Sequence, residues 1–320
     1  MKKIFVYSLL TVILLTACRN TDSGKSGEII VFHAGSLSVP FKQLKDEYEK
    51  NNNGIKILLE PAGSLVCARK ITELKKPCDI MASADYFVIN ELLIPKYASW
   101  SIRFATNEIV IAYNDKSKHS SEINADNWIE ILLKEDVIYA RSEPDFDPCG
   151  YRTVLSFMLA EKYYNHPGLT DKMVTKNKDY IRPKEVDLIA LIESNTIDYM
   201  FQYKSVAIQH GLKFIELPDE INLSNPAMND IYKTVTLDVA GSTPGSKMTV
   251  TGDYINYSLT VPEISENKDE AMKFVDFILS NEGIEIFRKN GQEPIVPFSS
   301  EQQDKLPVHF QEYLRNFDAK

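Results

Sequence analysis

The sequence predicts an α/β protein of two lobes, each a mostly parallel sheet flanked by helices. Three observations carry this. From Glu28 onward, short apolar runs alternate with amphipathic segments, the pattern of strand–helix–strand units. The chain's 320 residues exceed the roughly 100–200 of a single domain. The apolar runs also suggest that the chain leaves its first unit near residue 109 and returns near 258. That divides it into a lobe of 28–108 plus 258–320 and a lobe of 109–257. With 44% hydrophobic and 25% charged residues, a disordered chain and a polytopic membrane protein are excluded. A formal net charge of −9 without a basic cluster argues against a nucleic-acid partner, which needs positive charge to release counterions.

The N-terminus reads as an export signal. Lys2 and Lys3 precede a largely apolar run over 4–15, too short to span a bilayer and typical of a secretory leader. The leader covers 1–17 and a small, polar tether covers 18–27. Leu15-Thr16-Ala17-Cys18 resembles a bacterial lipobox, which implies lipidation at Cys18. The expected location is outside the cytoplasmic membrane, with the lipid as the only membrane attachment. Beyond Cys18 stand Cys67, Cys78 and Cys149. Their long spacings, without CxxC, argue against zinc. An odd number in an oxidising compartment allows one disulfide and one spare thiol, and the spacing does not choose the pair.

The elements follow in order. A buried strand over 29–32 leads into Gly35-Ser36. Leu37, Phe41, Leu44 and Tyr48 then recur at helical spacing, with Pro40 in the first turn, where a helix tolerates it. A strand over 55–59 precedes Gly63-Ser64 and an apolar helical face of Leu65, Ala68, Ile71 and Leu74. A third strand covers 80–82. The apolar stretch 107–113 leaves this unit. A helix over 128–133 and a strand over 137–140 begin the second, and a long helix follows Pro148 to about Tyr164. Helices over 185–193 and 203–210 flank a strand over 197–202. Segments 232–239 and 248–251 read as β, 257–261 as the returning strand, and 268–279 and 282–289 as amphipathic helices.

Three constellations stand out. Ala34-Gly35-Ser36 and Ala62-Gly63-Ser64 repeat one tripeptide between a strand and a helix. Glycine lets backbone approach a ligand, serine can cap the helix and donate its hydroxyl, and a helix start binds oxyanions without formal charge. In Asp147-Pro148-Cys149-Gly150-Tyr151-Arg152, Asp147 is placed to cap a helix whose first residue is Pro148. In Arg182-Pro183-Lys184-Glu185-Val186-Asp187, Glu185 opens another helix, where an acid complements the dipole. Neither HExxH nor GxSxG occurs, which argues against a zinc hydrolase and a serine hydrolase. Gly241 to Lys247 imitates a phosphate loop without its spacing and reads as a hairpin turn.

Together with Phe32-His33-Ala34-Gly35-Ser36-Leu37-Ser38-Val39-Pro40-Phe41, Arg69-Lys70-Ile71-Thr72-Glu73-Leu74, Ala82-Ser83-Ala84-Asp85-Tyr86 and Tyr203-Lys204-Ser205-Val206-Ala207, these motifs closely resemble the tungstate/molybdate-binding proteins of ABC importers. The resemblance spans nearly the whole chain after the leader. One departure is Ser142-Glu143-Pro144, where the family pattern has Asn-Pro-Asn. It implies a two-lobed periplasmic-binding-protein fold of the second type, and no cofactor. It also implies an oxyanion held by the hydroxyls of Ser36, Ser64 and Tyr203 and by backbone N–H groups. Asp147 and Glu185 match the carboxylates that approach the metal of the oxyanion, and Cys67 and Cys149 match loops bordering the pocket, which implies their pairing.

The implied chemistry is selective. Sulfur and phosphorus centres do not accept extra carboxylate oxygens, whereas hexavalent tungsten and molybdenum are hard and expand their coordination, so two acids would repel the abundant competitors. The sequence thus predicts a monomeric solute-binding lipoprotein, not an enzyme, delivering tungstate or molybdate to an ABC permease and its ATPase. Two other readings remain: a carrier of sulfate or phosphate with Asp147 and Glu185 only capping helices, or a cleft enzyme using them as an acid/base pair.

Overall fold

The computed structural model describes residues 27–318 apart from positions 242 and 244. The leader, Cys18 and the tether up to residue 26 lie outside the described residues. The first strands are β1 (Gly27–Ala34), β2 (Ile55–Ala62), β3 (Ile80–Ser83) and β4 (Ile102–Thr106). Next come β5 (Ile109–Tyr113), β6 (Tyr139–Ala140), β7 (Tyr199–Tyr203) and β8 (Lys213–Glu216). The last are β9 (Thr236–Ala240), β10 (Lys247–Thr251), β11 (Asn256–Thr260) and β12 (Glu293–Ser299). One sheet has the order β12-β4-β11-β3-β1-β2 and another β6-β7-β5-β8, while β9 and β10 form a hairpin.

Each sheet is packed by helices, and the arrangement is α/β as the periodicity predicts. In the first lobe, α1 (Ser38–Asn51) buries Pro40, Phe41, Leu44 and Tyr48, one face at three- and four-residue steps. Tyr48 meets Phe274 of helix Lys268–Ile278 with ring centroids 4.9 Å apart. α2 (Ser64–Thr72) buries Leu65, Cys67, Ala68 and Ile71. The helix stops before Leu74, which is 63% exposed rather than part of the apolar face. α3 (Tyr86–Leu92) follows β3, and α4 (Trp128–Leu133) opens the second lobe. There α5 (Pro148–Tyr163) is buried on every side from Pro148 to Phe157, as expected of a helix inside a core rather than on a surface. Its Phe157 meets Phe201 edge-on at 4.7 Å.

The sheets are mixed, not mostly parallel. β1 is parallel to β2 and β3, and β6 to β7. The remaining pairings (β11 with β3 and β4, β12 with β4, β5 with β7 and β8) are antiparallel. The cause is the crossing of the chain. A βαβ unit makes its strands parallel, but strands that carry the chain between lobes enter a sheet from its far end and run against their neighbours. The first crossing passes through Asn107 and Glu108. Asn107 Nδ2 donates to Ser205 Oγ at 2.7 Å, after β7 of the four-stranded sheet, and to Tyr257 OH at 2.9 Å, on β11 of the six-stranded sheet, and Asn107 Oδ1 accepts from Glu108 N at 3.0 Å.

His33 near the end of β1 is buried, bonds the Ala34 carbonyl through Nδ1 at 2.8 Å and stacks on Phe41. Burial lowers its pKa from 6.5 to about 4. The unfolded chain therefore takes up this proton near pH 6.5 and the folded chain only near 4, so folding stability falls as pH drops through that window. The full shift is worth about 3 kcal/mol. Urea unfolding of the wild type should lose about 2–3 kcal/mol more between pH 7 and 4.5 than His33→Gln does; equal losses would refute the buried neutral imidazole.

Candidate functional site

The carboxyl ends of β1, β2 and β3 face the start of α5 and the turn at Glu185, the place where α/β sheets hold ligands. After β1 the chain makes one tight turn, Gly35–Leu37, before α1. After β2, Gly63 caps α2 with extended backbone (φ −59, ψ 143), and Ser64 is the first helical residue. Neither serine caps its helix by a side-chain bond, which corrects the capping role expected of them. Their hydroxyls are used otherwise. Ser36 Oγ accepts from Tyr257 OH at 2.9 Å, and Ser64 Oγ accepts from Ala84 N at 3.0 Å. With a lone pair so engaged, each hydroxyl keeps its own proton to donate. Both serines are fully buried.

Asp147 caps α5 as the sequence predicts, its Oδ1 accepting from Cys149 N at 3.3 Å, and its Oδ2 accepts from Glu185 N at 2.8 Å. Glu185 opens a turn, Glu185–Asp187, ahead of helix Leu188–Glu193. Its Oε1 accepts the backbone N–H of Ser36 from the other lobe, and its Oε2 has no hydrogen-bond partner. Burial, and after it the Glu185 carboxylate, push the Asp147 pKa well above the usual range. Two acids 0–1% exposed thus lie side by side at the interface, a costly arrangement unless function requires it.

The lobes are closed on one another through main chain, side-chain hydrogen bonds and a buried ion pair. A Cβ on Gly63 would fall 2.2 Å from the Phe146 carbonyl oxygen, and one on Gly35 would lie 3.0 Å from both Glu185 carboxylate oxygens. Arg69 of α2 donates to Asp145 O at 3.0 Å and Ala240 O at 2.7 Å. Asp85, which caps α3, accepts from both Tyr151 OH and Arg152 Nη2 of α5 at 2.6 Å. Tyr203, at the end of β7, has a fully buried hydroxyl with no partner, and burial raises its pKa.

The expected site residues Ser36, Ser64, Asp147, Glu185 and Tyr203 therefore line one closed interface. Sequence reasoning missed Tyr257, Asp85, Tyr151 and Arg152. The last three stand inside motifs already singled out, but nothing in their spacing shows a bond between lobes. The pairing of Cys67 with Cys149 is not formed, and all three described cysteines are free. Each thiol is turned into its own lobe, Cys67 Sγ to His33 O at 3.7 Å and Cys149 Sγ to Gln202 Oε1 at 3.8 Å. Burial raises the Cys67 thiol to about 12 and Cys149 in the same direction, so neither is a reactive thiolate. Among the described residues, no three His, Cys, Asp or Glu side chains gather as a metal cage, and no helix is long and apolar enough to cross a membrane.

Comparison with known proteins agrees with this geometry. The family described as "Bacterial extracellular solute-binding protein" matches residues 29–293. An "Uncharacterized solute-binding protein" of Petrotoga mobilis is 43% identical over 319 residues, covering 98% of each chain. The "Molybdate/tungstate-binding protein WtpA" of Pyrococcus abyssi is also 43% identical, covering 91% of this chain and 93% of its own. Among solved structures, the periplasmic molybdate-binding protein of Azotobacter vinelandii has TM-score 0.60 at 16% identity, covering 82% of this chain and 98% of its own. The sulfate-binding protein SubI of Mycobacterium tuberculosis has TM-score 0.62 at 12% identity, covering 85% and 88%. These two share the two-lobed fold of periplasmic solute-binding proteins. Relatives and fold neighbours alike bind solutes and are not enzymes.

Glu185→Gln keeps an acceptor for Ser36 N and removes the charge beside Asp147. An acid whose pKa is raised on folding costs stability as pH rises from about 3.9 through the folded value. The ligand-free variant should therefore melt higher than wild type at pH 7.5, by about 2–4 °C for each kcal/mol relieved, with the gap narrowing towards pH 4.5. Calorimetric scans across that range that show no gap would refute the charge crowding.

Proposed function

The chain belongs to the family of bacterial extracellular solute-binding proteins, and from that premise we propose that it captures tungstate or molybdate between its lobes and delivers it to an ABC permease and its ATPase. Membership in the family places the protein outside the cytoplasm. Lipidation at Cys18, after removal of 1–17, would tether the monomer to the membrane by lipid alone. The lobes of this reading are 28–108 plus 258–320 and 109–257.

The observation that carries the ligand assignment is the buried carboxyl pair. Asp147 and Glu185 lie against each other at the interface, with Glu185 Oε2 unmatched by any donor among the described residues. A sulfate or phosphate there would meet repulsion. A tetrahedral oxyanion of hexavalent tungsten or molybdenum would instead gain two carboxylate oxygens on a hard, expandable metal. The hydroxyls of Ser36, Ser64 and Tyr203 and the helix-start N–H groups would hold its own oxygens. The 43% and 40% identical molybdate/tungstate-binding proteins of Pyrococcus abyssi and Thermococcus kodakarensis support the same ligand pair.

Titration calorimetry against tungstate, molybdate, sulfate and phosphate tests this. Tungstate and molybdate should bind at least about 100-fold more tightly than the other two, a gap of about 2.7 kcal/mol. Glu185→Gln should weaken tungstate and gain sulfate, whereas unchanged tungstate affinity without that gain would remove the carboxylates from the mechanism. Gly63→Ala offers a separate check on closure. Its backbone suits alanine, so the chain should still fold cooperatively, but the added Cβ meets the Phe146 carbonyl of the closed lobes. Tungstate affinity should fall about tenfold or more, about 1.4 kcal/mol; wild-type affinity would show that the lobes need not close this far.

A further inference from the structure

Arg152 pairs with Asp85 across the interface, but nothing above uses its remaining donors. It sits one turn into α5 and is 2% exposed. Nη2 is held by Asp85 of the opposite lobe at 2.6 Å, but Nε and Nη1 have no hydrogen-bond partner among the described residues. Tyr203 OH is in the same condition, and Arg152 and Tyr203 lie close enough for each to influence the ionisation of the other. Unmatched buried donors are costly, and most costly on a charged group. Here the unmatched donors of one guanidinium and one phenol share an interior with the start of α5, whose cap is Asp147.

The charge balance of the interface gives those donors a purpose. Neutral hydroxyls and N–H groups can hold an oxyanion, and a buried cation facing it would further offset the charge of Asp147 and Glu185. His33 cannot supply that cation, because burial keeps the imidazole neutral. The other buried guanidinium, Arg141, is turned to the carbonyl of Ser142. Arg152 remains, and the Asp85 carboxylate favours its charged form.

We propose that Arg152 is a further oxyanion-binding residue, donating together with Tyr203 OH to the bound anion, and that Asp85 is its positioning residue. The proposal rests on the oxyanion reading above. Asp85 comes from the first lobe and Arg152 from the second, so the guanidinium is fixed only when the lobes meet. Tyr151 OH shares the same Asp85 oxygen at 2.6 Å, which holds the carboxylate in place from a second side. The cation is therefore oriented by the same closure that buries the ligand, and open lobes would present a weaker site.

Arg152→Gln alone would leave Asp85 buried and unpaired and could unfold the protein for that reason. The decisive variant is the double substitution Asp85→Asn with Arg152→Gln, which replaces an ion pair by a neutral pair of similar shape. Its melting temperature and circular dichroism should stay near wild type, while calorimetry with tungstate should show at least about 100-fold loss. Arg152→Lys, which keeps the charge and loses the guanidinium donors, should lie between the two. A folded double variant within threefold of wild-type tungstate affinity overturns the proposal. If wild type binds sulfate but neither tungstate nor molybdate, the ligand assignment fails, and the Arg152 role stands or falls on the sulfate affinity of the same double variant. A wild type with no oxyanion affinity overturns both.

Discussion

Glu185 spends one carboxylate oxygen on the Ser36 backbone N–H across the interface, and Asp147 spends one on the N–H of Glu185. Most of the surrounding structure follows from the cost of burying that pair. A carboxylate removed from water must be met by donors, and here the donors are main-chain groups at the starts of turns, which exist only where strands end and helices begin. The tripeptide turns of the first lobe and the Asp147 and Glu185 turns of the second have to be opposed for the pair to exist at all. Glycine at positions 35 and 63 lets them approach that closely. Each turn is thus shaped less by its own lobe than by what the other lobe presents.

Across the same interface, Asp85 gathers Tyr151 and Arg152. A buried ion pair of this kind gives little net stability, because desolvation offsets attraction, but its geometry is demanding and wrong approaches leave charges unmatched. Arg69, reaching two backbone carbonyls of the second lobe, adds contacts of the same all-or-nothing character. Directional polar bonds thus help define the closed arrangement.

Much of this was legible in the residues. The spacing of Leu37, Phe41, Leu44 and Tyr48 announces α1, Pro148 after Asp147 announces the start of α5, and the repeated Ala-Gly-Ser announces two equivalent turns. What was not legible depends on contacts between distant segments. Strand direction in a sheet depends on where the chain crosses, so the antiparallel placement of β11 between β3 and β4 could not be read from the apolar run that forms it. Tyr257 reads as an ordinary strand aromatic until its hydroxyl is seen on Ser36. The two cysteines stand in motifs that border the cleft, yet the thiols turn inwards, a rotamer choice that sequence spacing does not encode. Leu74 continues the helical spacing on paper but falls beyond the last turn of α2.

Asn107, at the crossing between lobes, binds Ser205 on one side and Tyr257 on the other, and Tyr257 continues to Ser36. One side chain at the crossing thus bonds elements of both sheets at once. Because the stitch runs on to Ser36, whose N–H meets Glu185, the crossing and the Asp147–Glu185 pair are parts of one hydrogen-bonded thread.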